Sequence, residues 1–142
     1  MESSIHKSMF GVAVVFAVGG CVDMSIPQTF DDQVAEGADL YAMHCASCHG
    51  SAGEGVRGMP ALVGIDKGAL PLEPREGSRR NIPFTTVADV AMYTEMYMPP
   101  RGTGDIPSEQ YWAIIAFSMH ENGIISSSAL DHESAQTMII PR

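Results

Sequence analysis

Cys45-Ala46-Ser47-Cys48-His49 is the stretch on which the reading of this chain turns. Two cysteines three apart, followed at once by a histidine, form the attachment pattern for c-type haem. Each residue type has a chemical reason to be there. Both thiols can add across the haem vinyl groups as thioethers. One turn of helix brings both sulfurs to one porphyrin edge. The histidine then lies under the iron and offers an imidazole nitrogen as axial ligand.

Other chemistries of a CxxC pair are weaker here. Zinc needs four ligands and so a second Cys/His pair. The only further cysteine is Cys21, at the end of an apolar run. A thioredoxin-like redox motif needs a βαβ context, and no strand pattern flanks Cys45. The bland alternative is a chance match at a packed helix end.

The chain has 142 residues, which suits one domain. Hydrophobic residues make up 45%, enough for a packed core. Seventeen acidic residues stand against eight basic ones, a net charge of -9. Phosphate neutralisation needs clustered Lys and Arg, so nucleic-acid binding is disfavoured. A cationic or dipolar partner surface suits this charge better. The ten methionines matter because thioether sulfur is a soft iron ligand.

Residues 1–20 read as a targeting segment. His6 and Lys7 precede the apolar run from Met9 to Val18. That run is shorter than the roughly 20 apolar residues a bilayer span needs. Val18-Gly19-Gly20-Cys21 resembles a bacterial lipoprotein box, in which the cysteine is lipidated and becomes the mature N-terminus. An ordinary export signal, or an uncleaved anchor with Cys21 as a buried thiol, are the alternatives. Each places the domain outside the cytoplasm. Cleavage before Cys21 removes Glu2 and Lys7 and leaves the net charge unchanged.

Residues 21–30 read as a tether that lets the following domain, residues 31–125, move off a membrane surface. Within that domain the spacing predicts a helix from Asp31 to His44, with Val34, Ala38, Tyr41, Ala42 and Cys45 on one face. Asp31 and Asp32 suit its N-terminus. Gly37 lies inside it, where glycine is costly unless another helix comes close. Gly50 to Gly64 is a glycine-rich loop without a phosphate-loop signature. Beside a flat cofactor it would allow close backbone approach. The next stretch, Asp66 to Pro83, is irregular and gathers Lys67, Arg75, Arg79 and Arg80. A second helix is predicted from Thr86, with Asp89 completing a capping box, to about Tyr97. Pro99 turns Met98 out of it. A third is predicted from Ser108, as its cap, to about Glu121. Trp112, Ile115, Ala116 and Met119 share one face, and Asn122-Gly123 forms the stop. Residues 126–142 read as a tail, either docked or forming a short strand. No internal repeat is present.

Three helices, one CxxCH and a methionine before proline about fifty residues later resemble a class I, monohaem cytochrome c, an all-α fold with irregular loops around the haem. The resemblance covers roughly Asp31 to Gly123. Gly37 and Tyr41 match the family's first helix, and Ala116-Phe117 the small-then-aromatic pair of its last. The resemblance implies one covalent haem c and its iron, with Cys45 and Cys48 as attachment points. His49 is then the proximal ligand and Met98 the distal one. Met96 is the runner-up; it and Met92 are expected to pack inside their helix, and Met59 lies too near the motif. His44, His120 and His132 do not occupy the family's distal position. Pro60 matches the proline whose carbonyl accepts the histidine N–H, and Leu62 is expected against the haem. Arg75, Arg79, Arg80, Asn81, Arg101 and Trp112 are candidate propionate donors, none singled out.

Such a site implies a one-electron carrier rather than an enzyme, working in the periplasm, with a membrane tether at Cys21. The segment Phe84–Val90, then Met98-Pro99-Pro100, then Tyr111 to Gly123 resembles cytochrome subunits of periplasmic dehydrogenases, such as sulfite-oxidising and quinoprotein enzymes. This implies a dehydrogenase as electron donor and a respiratory-chain oxidase or cytochrome as acceptor. Two other readings stay open: a haem subunit within a stable dehydrogenase complex, and a haem-based sensor of a small ligand.

Overall fold

The computed structural model describes residues 29–64, 70, 72–74, 76–100 and 105–142. The targeting segment, Cys21 and residues 22–28 of the expected tether lie outside them, whereas Thr29 and Phe30, read as the end of the tether, instead begin the first helix. Among the described residues five helices follow one another: α1 (Phe30–His44), α2 (Ala46–His49), α3 (Val87–Tyr97), α4 (Ser108–Glu121) and α5 (His132–Thr137). Among the described residues the only β pairing is an isolated bridge between Thr86 and Ile139. The fold is thus all-α, with the three expected helices as α1, α3 and α4. Among the described residues no helix is long and apolar enough to cross a membrane.

α1 and α4 form the most extensive helix contact. Gly37 makes it possible. A Cβ there would run into the Ala113 carbonyl of α4 and come within 3.0 Å of Phe117 Cβ. The absent side chain lets the two backbones touch. One turn further along, the Tyr41 and Phe117 rings pack at 5.2 Å between centroids, tilted by 46°. α1 is capped one step earlier than its acidic pair suggests. The Thr29 hydroxyl accepts the Asp32 N–H at 3.1 Å, and Asp31 and Asp32 occupy the first turn.

The Thr86–Asp89 capping box of α3 forms as the spacing predicts. The Asp89 carboxylate accepts N–H bonds from Thr85 at 2.7 Å and Thr86 at 2.8 Å. At α4 the cap differs from expectation. Pro107 is the N-cap, and Ser108 is already helical. Proline's fixed φ suits this end, and the freed Ser108 hydroxyl donates to Glu95 of α3 at 2.9 Å. α4 stops at Asn122, and Gly123 takes a φ of 76°.

The tail is docked. Leu130, Ala135 and Ile140 are buried in the same apolar cluster as Val87, Val90, Ile115 and Met119. α5, capped by an Asp131–Ser134 box, packs on α3. Ile140 N–H reaches the Thr85 carbonyl at 2.9 Å, and Val87 N–H the Met138 carbonyl at 2.9 Å. A second, smaller cluster of Tyr41, Ile106 and Ile114, with Leu62, Cys45 and Phe117 against it, lies on the other side of α4.

Candidate functional site

The chain changes direction at Cys45. Its N–H still closes α1 onto Tyr41 O at 2.8 Å, but α2 then winds a single new turn, with His49 N–H on Cys45 O at 2.9 Å. That turn presents Cys45, Cys48 and His49 to one cleft of about 370 Å³. Neither cysteine is in a disulfide.

His49 is 92% withdrawn from solvent, with 8% exposure. Its Nδ1 lies 2.9 Å from the Pro60 carbonyl oxygen. A carbonyl can only accept, so Nδ1 carries the proton, and the lone pair is left on Nε2. The glycine-rich loop is what brings Pro60 back over His49. Gly55 N–H donates to His49 O at 2.7 Å, and Leu62 N–H donates to Gly53 O at 2.7 Å. Gly50, Gly53 and Gly55 all have positive φ, and a Cβ at Gly55 would meet Met59 O at 2.6 Å and Ala61 N at 2.8 Å. Tyr41 fastens the start of this loop by donating its hydroxyl to Gly50 O at 3.0 Å. Burial, then the charges of Cys45 and Glu54, pushes that phenol up to about 12, which keeps it a donor.

Leu62 and Met98 line the same cleft, together with Val90, Thr94 and Ile114. Met98 has left the helix with φ −126° and ψ 137°, its N–H still on Thr94 O at 2.8 Å. The structure therefore brings together Cys45, Cys48, His49, Pro60, Leu62 and Met98. Met96, Met92 and Met59 behave otherwise. Rather than packing inside α3, Met92 and Met96 are 52% and 64% exposed, and Met96 borders a shallower groove beside Ile82 and Tyr97. α3 uses its Val87–Val90–Ala91 side for the core, and these two methionines fall on the opposite side. Met59 is likewise exposed.

His44 lines the cleft, whereas His120 is exposed against Glu121 and His132 is exposed against Gln136. Of the candidate propionate donors, Arg80 lines the cleft. Its guanidinium spans Leu72 O, Ile82 O and Glu73 O at 2.7–3.0 Å and stacks 3.7 Å over Phe84. Arg79 and Asn81 face the shallower groove, and Trp112 packs on the larger core. Arg75 and Arg101 lie outside the described residues.

Two residues that the sequence does not point to brace this site. Asn122, at the end of α4, donates to Leu62 O at 2.7 Å and accepts from Gly64 N–H at 2.9 Å. Tyr111, near its start, donates to Met98 O at 2.6 Å. Burial, then the charge of Glu95, holds the Tyr111 phenol above its usual value. Both contacts join residues remote in sequence, so no local pattern betrays them.

The family model for "Cytochrome C oxidase, cbb3-type, subunit III" matches residues 32–117, from the first turn of α1 through the cleft into α4. The chain belongs to this cytochrome c family. A stretch of 50 residues is 42% identical to the "Cytochrome bc1 complex cytochrome c subunit" of Corynebacterium efficiens, over 33% of this chain and 17% of that protein. The chain thus spans about a sixth of that relative's length. In three dimensions it resembles the crystal structure of the sulfane dehydrogenase SoxCD from Paracoccus pantotrophus, with a TM-score of 0.56 and 23% identity over 93% of this chain and 68% of that one. That likeness concerns the fold.

The cofactor of this cytochrome c domain is covalently bound haem c with its iron. The cleft fits such a group. It offers two cysteines outside any disulfide on one turn, an imidazole whose protonated nitrogen is already engaged, and largely apolar walls. Among the described residues no three His, Cys, Asp or Glu side chains converge as a metal cage.

Proposed function

We propose that this cytochrome c domain is a one-electron carrier in which His49 and Met98 are the axial ligands. The observation that carries this reading is the Nδ1–H to Pro60 hydrogen bond, with Nε2 left free, on a cleft that Met98 also lines. Haem c supplies the one-electron ferrous/ferric couple when bound. The rest is the work of the chain. Cys45 and Cys48 hold the group by two thioethers. The Pro60 carbonyl fixes the His49 ring and raises its basicity. Met98, which lines the same cleft, would supply its thioether as the second iron ligand, and a His/Met pair raises the potential relative to other ligand sets. With both positions taken, the site has no room for a substrate. Leu62, Val90 and Ile114 keep water out.

The electron donor in this reading is a periplasmic dehydrogenase, and the acceptor is an oxidase or another cytochrome of a respiratory chain. Contacts with such partners are small and transient. Cys21 carries the lipid that tethers the domain to the membrane, after removal of residues 1–20. The subunit named in the Corynebacterium relative supports a second reading, in which the chain is a fixed haem subunit of a larger complex. Co-purification of a stable, stoichiometric partner would favour that reading over a free carrier.

The deciding experiment is an oxidised and reduced spectrum of the holoprotein with a CO titration of the reduced form. His/Met ligation gives the near-infrared sulfur-to-iron band and no response to CO at neutral pH. Met98→Ala loses the band and gains CO binding. A Met98→Ala protein with the wild-type spectrum and potential would exclude Met98 as ligand. CO binding by the wild type would favour the sensor reading.

A further inference from the structure

We propose that Tyr111 is a positioning residue for the distal side of the haem site, its hydroxyl setting the direction in which Met98 faces the cleft. This rests on the reading of Met98 as axial ligand. The Tyr111 hydroxyl crosses from α4 to the Met98 carbonyl at 2.6 Å. The Met98 N–H is held on Thr94 O at 2.8 Å. Both backbone polar groups of Met98 are therefore fixed, one by its own helix and one by the neighbouring helix. With its φ and ψ pinned from two sides, the Met98 side chain leaves the backbone in one direction.

The Tyr111 ring is itself anchored. It packs on the small cluster of Tyr41, Ile106 and Ile114, so its hydroxyl is aimed with little freedom left to lose. A second link joins the same corner of α3 and α4, the Ser108 to Glu95 hydrogen bond at 2.9 Å, but it is exposed and ends on a side chain. Of the two links, only the Tyr111 link ends on the backbone of the ligand-bearing residue. It should therefore control the strength of the methionine–iron bond, while the Ser108 link affects only the stability of the corner.

The test compares full-length holoprotein with Tyr111→Phe, which keeps the ring and removes the donor. Imidazole is titrated into the oxidised form, and displacement of Met98 is followed by loss of the sulfur-to-iron band. One neutral hydrogen bond corresponds to roughly a fivefold change in an equilibrium constant. Tyr111→Phe is expected to give up Met98 at roughly fivefold lower imidazole, and to show a lower potential. Ser108→Ala is expected to leave both unchanged. An imidazole midpoint for Tyr111→Phe equal to that of the wild type would overturn the proposal. So would an equal shift in Ser108→Ala, which would mean general loosening of the corner. A wild type without the sulfur-to-iron band would instead sink the Met98 reading beneath it. Should Tyr111→Phe fail to load haem, NMR of the wild type decides: a slowly exchanging Tyr111 hydroxyl proton is expected, and its absence overturns the proposal.

Discussion

Gly55 has a φ of 77° and no room for a Cβ among Met59, Pro60 and Ala61. Those are the residues that carry the acceptor for His49, so a methyl group at position 55 acts on the site through the backbone. Gly55→Ala combines an unfavourable left-handed residue with overpacking, together about 1–3 kcal/mol of lost stability. The relief available is to push the Pro60 loop outward, away from the imidazole. His49 then loses its hydrogen-bond acceptor and some basicity. The expected outcome is a lower yield of haem-loaded protein and a raised potential, read by denaturant melts and redox titration. An unchanged potential in a destabilised variant would show that the Pro60 contact does not tune the ligand. At this scale the sequence was readable where chemistry fixes spacing. Cys45, Cys48 and His49 needed only their own order, and Pro60 needed a resemblance. Tyr111 and Asn122 were not readable. Their partners, Met98 and Leu62, lie 13 and 60 residues away and are reached only through the packing of α4.

α3 depends on its first turn. The Asp89 carboxylate accepts the N–H groups of Thr85 and Thr86. Partial burial works against its ionised form, yet the hydrogen bonds from Thr86 and Thr85, with Arg80 nearby, outweigh it and hold the carboxyl below its ordinary value of 3.8. A carboxyl depressed in the folded chain contributes stability above its unfolded value. That stability is lost as pH falls through the lower folded value. Asp89→Asn should therefore melt earlier than the wild type at neutral pH by about 0.5–1 kcal/mol. The gap should start to narrow below about pH 4 and close only as pH falls through the lower folded value, where the wild-type carboxyl also protonates. A gap that persists in acid would assign the effect to shape rather than charge. The same element shows why sequence reading succeeds and fails. The Thr86–Asp89 box is local, and its spacing reveals it. Which face of α3 is buried depends on α4 and α5, and the methionines at 92 and 96 could not announce that they face outward. At α4 the serine looked like a cap, but Pro107 supplies the turn and releases Ser108 to Glu95.

Across the whole molecule, the two ends of the described chain are tied by one buried side chain. Gln33 of α1 donates to Leu130 O at 2.9 Å and accepts the Leu130 N–H. Gln33→Leu fills the space but strands both backbone groups, at about 1–3 kcal/mol for each. It should lower the melting temperature and expose the tail to proteolysis, with the haem spectrum unchanged. A spectrum that shifts would mean that the tail reaches the cleft. The sequence leaves a docked tail and a short strand as equal alternatives, and a 97-residue separation leaves no local trace of where the tail docks. Charge operates over the same range. The net charge is -9 over the full sequence, and Asp31, Asp32, Glu36 and Asp39 stand exposed along α1. Arg80 at the cleft is turned toward backbone carbonyls rather than outward. A field of this sign attracts cationic reactants and repels anionic ones over about 10 Å at moderate salt. Electron exchange with hexaammineruthenium should slow as salt is added, and exchange with ferricyanide should quicken. Stopped-flow rates at several ionic strengths give both slopes. If both slopes reverse, the rim of the cleft is locally positive, and its partner must be an acidic surface rather than a basic one.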